Sequence, residues 1–144
     1  MDQDKTAMDE GAIVNSGPEP KLAAGAGNFK IKVSYKGTEL GWWKDVGGPE
    51  YWITTGDKAS ALSFYWVFYN GSPYLSAGSN NYLSYRTGSP YALGMKMRGW
   101  AYAAKWDLTG NKLKCLDNGN LVGVDGTSFY VNGENVVDVE FSSV

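Results

Sequence analysis

Residues 29–35 alternate strictly, with Phe29, Ile31, Val33 and Tyr35 set against Lys30, Lys32 and Ser34. A period of two marks a half-buried strand, because successive side chains leave a pleated backbone on opposite faces. The period returns at Leu62, Phe64, Trp66 and Phe68, at Tyr102, Ala104, Trp106 and Leu108, and at Val137, Val139 and Phe141. Lys105, Asp107, Asp138 and Glu140 are among the residues between. Shorter runs behave alike at Tyr51/Ile53, Tyr91/Leu93/Met95 and Phe129/Val131. The only helix the pattern suggests is a short one near residues 6–14.

The strands repeat as a set. From Gly27, Gly71 and Gly110 the chain reaches Leu40, Leu83 and Leu121 after 13, 12 and 11 residues. An aromatic then opens a further strand (Tyr51, Tyr91, Phe129), and a large aromatic closes each unit (Trp66, Trp106, Phe141). Four landmarks in one order, separated by loop-sized differences, predict three copies at 27–70, 71–109 and 110–144. Copy one carries strands at 29–35, 39–44, 51–54 and 61–69. Copy two carries them at 74–77, 82–86, 91–97 and 101–108. Gly37, Asn80-Asn81, Thr87-Gly88, Asn118-Gly119, Asp125-Gly126 and Asn132-Gly133 supply turn chemistry.

Three copies of four short strands resemble the β-trefoil, an all-β architecture in which six strands close a barrel and three hairpins cap one end. The resemblance covers residues 27–144. It is nearest in size and layout to the small trefoil lectins of fungi and bacteria, which often lack signal peptides. It departs from the ricin-type lectins, whose Gln-x-Trp signature is missing: Trp66 and Trp106 follow Phe64 and Ala104, and the sole glutamine is Gln3. Trefoil protease inhibitors and actin-bundling modules share the layout, so function has to be argued from a site.

Composition narrows the chemistry. A chain of 144 residues is expected to form one domain with its own core. Residues 1–26 hold five acids against two lysines and include Pro18 and Pro20, so they read as a flexible N-terminal arm with little to bury. The rest carries 11 basic and 10 acidic groups, too balanced for a phosphate-binding stripe, and no nucleic-acid partner is expected. No apolar run approaches membrane-span length, and the start lacks the basic and apolar regions of a secretory leader. The expected location is cytoplasmic, or exported without a standard signal. Asn70-Gly71-Ser72 has the form of a glycosylation sequon, which matters only on the secretory path.

With no histidine, Ser-His-Asp and Cys-His catalysis are excluded, and Cys115 alone cannot build a zinc site. The cysteine reads as a buried structural thiol. Glu134, Asp138 and Glu140 offer carboxylates, but strand phase puts the last two on a solvent face, and Asp117, Asp125 and Glu134 sit in turns. No enzymatic activity, cofactor or metal is expected.

Aromatic surface remains. Three residues after the conserved-character leucine the copies read Trp43, Arg86 and Val124; one after the third landmark they read Trp52, Ala92 and Tyr130. Positions that change character between copies are expected to face solvent. Trp43 and Trp52 therefore form a predicted ligand platform with Lys44, Asp45 and Glu50 around the Gly47-Gly48-Pro49 loop. Such a pair suits a sugar, whose apolar face stacks on indole while polar groups take its hydroxyls. Tyr85, Arg86 and Trp100 form a second candidate cluster, although Trp100 shares the phase of Trp106 and so leans inward. The expected partner is a glycan or glycoconjugate. The alternatives are a protein partner bound through the 45–50 and 88–90 loops, as in a protease inhibitor, and a toxin component that meets a membrane surface.

Overall fold

The computed structural model describes residues 15, 17–20, 27–48, 50–132 and 134–144. Within them the fold is all-β. The strands are β1 (Phe29–Tyr35), β2 (Thr38–Asp45), β3 (Ile53–Gly56), β4 (Tyr65–Tyr69), β5 (Ser72–Ser76), β6 (Tyr82–Tyr85), β7 (Met95–Arg98) and β8 (Trp106–Thr109). They continue as β9 (Lys112–Cys115), β10 (Asn120–Leu121), β11 (Gly123–Asp125), β12 (Ser128–Tyr130), β13 (Asn135–Val136) and β14 (Asp138–Ser143). Four antiparallel sheets result, ordered β14-β1-β2-β3, β4-β5-β6-β7, β10-β9-β8 and β12-β11-β13. The helix expected near 6–14 and most of the arm expected over 1–26 lie outside the described residues.

Links between sheets place six strands next to one another in a closed cycle. Ladders join β14 to β1, β4 to β5 and β8 to β9. Phe29 and Phe64 exchange two backbone hydrogen bonds, at 2.8 and 2.7 Å, and tie β1 to the start of β4. A Tyr74–Lys105 bridge ties β5 to the start of β8. Val139 N–H donates to the Asn111 carbonyl at 2.8 Å and returns β14 to β9. The other hairpins, β2–β3, β6–β7 and β11–β12, meet through the Trp52–Lys96 and Gly94–Tyr130 bridges.

Turn chemistry fixes the hairpins as read from sequence. Lys36-Gly37 and Asn70-Gly71 both adopt positive φ at two successive residues, the type I′ geometry whose twist matches that of the flanking strands. One core fills the interior and includes Ile31, Val33, Trp43, Phe64, Leu75, Leu83, Met97, Trp106, Leu113 and Phe129. A smaller cluster gathers Val67, Tyr74, Tyr82, Trp100 and Ala103.

Several expected strands are shorter, each for a local reason. The run 61–69 forms a ladder only from Tyr65; Phe64 before it makes an isolated bridge to Phe29, and the chain arrives from a 3₁₀ turn at Lys58–Ser60 that Asp57 caps by accepting from Ser60 N–H at 3.0 Å. The run 91–97 begins at Met95, because Tyr91 and Leu93 have φ of 64° and 71°. The run 101–108 begins at Trp106, because Trp100–Tyr102 forms a 3₁₀ turn whose first N–H is taken by Asn80 Oδ1 at 2.8 Å.

Strand phase also departs from expectation at two landmarks. In β4 the alternation breaks after Phe64: Val67 is buried, Trp66 is half-buried and Phe68 is 70% exposed. Trp66 and Phe141 close one end of the core partly in contact with water, beside Phe29. Trp106 behaves as expected. It is fully buried and donates from Nε1 to the Leu83 carbonyl at 3.0 Å.

Candidate functional site

A β-bulge decides the geometry of the predicted platform. Val33 pairs with Gly41 but Ser34 pairs with Glu39, so Leu40 is the extra residue. The bulge advances the phase of β2 by one position. Gly41 has φ of +128°, and a Cβ there would lie 3.0 Å from Thr55 Cβ, so the bend is built on a glycine. Beyond it Trp43 turns inward, fully buried, with its ring edge-on to Phe129 at 5.6 Å. The expectation that Trp43 faces solvent is thereby corrected. The half-exposed neighbour is Trp42, whose ring carries the Lys58 and Lys32 ammonium groups at 5.0 and 5.9 Å.

Variation between copies misled because Trp43, Arg86 and Val124 are all buried. A position whose character varies can still face the interior, because a large side chain at one place in a core offsets a small one at another. Arg86 is satisfied there by the carbonyls of Gly88 and Ser89, at 2.9 and 3.1 Å. The second cluster is corrected with it. Tyr85 lies in the main core and Trp100, as its phase implied, in the smaller one, among Tyr69, Tyr74 and Tyr82 at 5.4, 4.9 and 5.4 Å; Tyr85 and Arg86 are buried, and Trp100 is buried but borders a cavity beside Asn80 and Tyr102.

The residues around Trp52 do converge. Trp52 lines a cavity of about 420 Å³ where the hairpins meet, together with Tyr91, Tyr130, Thr54, Ser128 and Val46. This volume falls in the range of small-ligand sites. Tyr91 meets Trp52 edge-on at 6.2 Å and is 65% exposed at the rim. The positive φ of Tyr91 sets a bulky residue in the left-handed region, a cost of about 1–3 kcal/mol that surrounding structure must hold in place. Gly94 makes room: a Cβ there would lie 2.9 Å from Trp52 Cζ3 and 3.0 Å from the Tyr91 carbonyl.

Charge enters from one side. The Lys96 ammonium, fully buried, lies 4.6 Å from the Trp52 ring centroid and pairs with the half-exposed Glu50 carboxylate at 3.1 Å. Asp45 is a turn residue, accepting the Gly47 N–H at 2.9 Å. Lys44 runs along β2, its stem passing Gly56, where a Cβ would come within 2.6 Å of Lys44 Cδ. Of the residues predicted at this end, Trp52 lines the cavity and Glu50 supports it through Lys96.

Sequence reasoning missed Tyr91, Gly94, Lys96, Ser128 and Tyr130. One signal was present. Trp52 and Tyr130 each follow an aromatic expected to open a strand, Tyr51 and Phe129, and both line the same cavity. Among the described residues no group of three or more Cys, Asp or Glu could hold a metal ion. No helix among them is long and apolar enough to cross a membrane. Neither a protein-family model nor a curated protein matches the chain.

Proposed function

We propose that this chain is a β-trefoil carbohydrate-binding domain whose ligand enters the cavity around Trp52. The closed cycle of six strands and the three converging hairpins support the architecture. The observation that carries the function is the cavity itself. Three aromatic residues from separate segments, Trp52, Tyr91 and Tyr130, line a space that Thr54, Thr127 and Ser128 line as well. Indole and phenol rings suit the apolar face of a pyranose, and hydroxyls at the wall suit its equatorial groups. The Glu50–Lys96 pair holds the indole from behind and gives the rim fixed charge.

The test is a monosaccharide panel titrated into the labelled protein, read by chemical shift at the Trp52 indole. Saturable shifts that vanish in Trp52→Ala, with the fold retained, support the reading. A blank panel and a blank glycan array overturn it. A second reading draws on the exposed Val46 and Tyr91, 54% and 65% accessible, on the two loops beside the cavity. Together they form an apolar edge for a protein partner, as in a trefoil protease inhibitor. Inhibition of a protease panel, lost in Tyr91→Ala, distinguishes it from sugar binding.

A further inference from the structure

Two side chains ahead of β1 are bonded into the β4–β7 sheet. Asn15 Nδ2 donates to the carbonyls of Trp100 and Ala103 at 2.7 and 3.3 Å, and its Oδ1 accepts from Tyr74 Oη at 3.3 Å. Glu19 is held through its carboxylate. Oε2 accepts from Asn80 N–H and Tyr82 Oη, each at 2.6 Å, and Oε1 accepts from Ser79 Oγ at 3.3 Å.

The donors owe their placement to the fold and not to Glu19. Residues 78–81 form the turn between β5 and β6, closed by Ala77 N–H to the Asn81 carbonyl at 2.8 Å and Asn81 N–H to the Gly78 carbonyl at 3.2 Å. Ser76 Oγ donates to the Gly78 carbonyl at 2.9 Å. Asn80 is fixed in the left-handed region and tied by its side chain to Trp100 N–H at 2.8 Å. Tyr82 is fully buried. Beside the carboxylate lies a cavity of about 310 Å³ lined by Gly17, Pro18 and Glu19 itself together with Asn80, Trp100, Ala101 and Tyr102. Trp100, which lines this cavity, has its Nε1 buried without a hydrogen-bond partner.

We infer that this turn is a carboxylate-binding site, occupied in cis by Glu19, and that a small carboxylate-bearing ligand takes the same donors when Glu19 leaves. A backbone N–H and two hydroxyls converging on one carboxylate make a preorganised receptor, since their ordering cost is met by folding. The adjoining cavity accepts the body of a ligand larger than a glutamate side chain. Burial and then the Glu19 hydrogen bond push the Tyr82 phenol well above its ordinary range, so it remains a donor across physiological pH. A tethered occupant acts at high effective concentration, so a free acid displaces it only at elevated concentration. The inference stands apart from the sugar reading of the Trp52 cavity, from which it shares no residue.

The experiment titrates acetate, D-glucuronate and D-glucose at constant ionic strength into the wild type and Glu19→Ala, reading the Asn80 amide and the Trp100 indole resonance. Both acids are expected to give saturable shifts in Glu19→Ala, with glucose silent and the wild type needing roughly tenfold more acid. Glucuronate binding more tightly than acetate assigns the cavity to the ligand body; equal midpoints confine recognition to the carboxylate, and either supports the site. Absence of acid-specific shifts in Glu19→Ala overturns the inference, as do equal midpoints in variant and wild type. Should Glu19→Ala not fold, the wild type at high acetate must show the Asn15 and Asn80 amides moving together, and their constancy overturns it.

Discussion

The Lys96 ammonium sits 4.6 Å from the centroid of the Trp52 ring. The two residues face each other across an isolated bridge between separate hairpins, so the contact joins elements far apart in the chain. A fully buried lysine is tolerated because Glu50 answers its charge and the indole face answers the rest. The ammonium is one of the groups packed on the Trp52 ring, with Tyr91 edge-on at 6.2 Å.

That packing sets the first expectation. Trp52→Ala and Tyr91→Ala should each weaken binding of a responsive sugar roughly tenfold, the loss of about one aromatic contact. Isothermal titration of both variants measures it. Trp42→Ala, outside the cavity, should leave affinity unchanged.

Trp43→Ala should act on stability. The side chain is fully buried against Phe129, and its removal leaves a large void, costing about 3–5 kcal/mol. Urea denaturation should show a lower midpoint with an unchanged slope. A loss of sugar binding with undiminished stability would contradict the buried placement.

Gly94→Ala should do both at once. Its Cβ would come 2.9 Å from Trp52 Cζ3 and 3.0 Å from the Tyr91 carbonyl, and the second neighbour is backbone. The overlap should cost about 1–3 kcal/mol and push the indole out of position. Thermal melts and the Trp52 indole shift report the two effects separately.

Alkaline pH should destabilise the fold. Burial pushes the Cys115 thiol up to about 11 from its ordinary value near 9. Burial likewise raises Tyr85, with Cys115 and Asp117 nearby adding to it. A group raised on folding favours the folded state fully below its unfolded value, and that contribution is lost as pH climbs to the folded value. The Cys115 contribution, about 2–3 kcal/mol, should therefore disappear between pH 9 and 11. Cys115→Ala should lessen the fall of denaturation midpoints across that window, leaving the part that raised tyrosines such as Tyr85 contribute at its upper end. At neutral pH a thiol reagent should label Cys115 only after unfolding.

Much of the fold was legible along the chain, because it depends on local rules. Strand β1 runs over the residues where alternation placed it, and the Asn70-Gly71 turn has the geometry its residues favour. The all-β class followed from the same local signals, since turn glycines and a period of two act within a few residues. The comparison along the sequence singled out Trp52, which lines a cavity, and Trp43, which is fully buried.

Alternation and turn residues specify an all-β chain and hairpins such as the one at Asn70-Gly71, and composition rules out histidine chemistry. Tertiary structure alone decided which indole faces water. One extra residue at Leu40 reverses every position after it in β2, and the bulge is visible only once Gly41 packs against Thr55. The cavity also arises between hairpins, from side chains such as Trp52, Tyr91 and Tyr130 that are distant in sequence. Periodicity reports the face of a strand, and it carries no information on which faces of different strands meet.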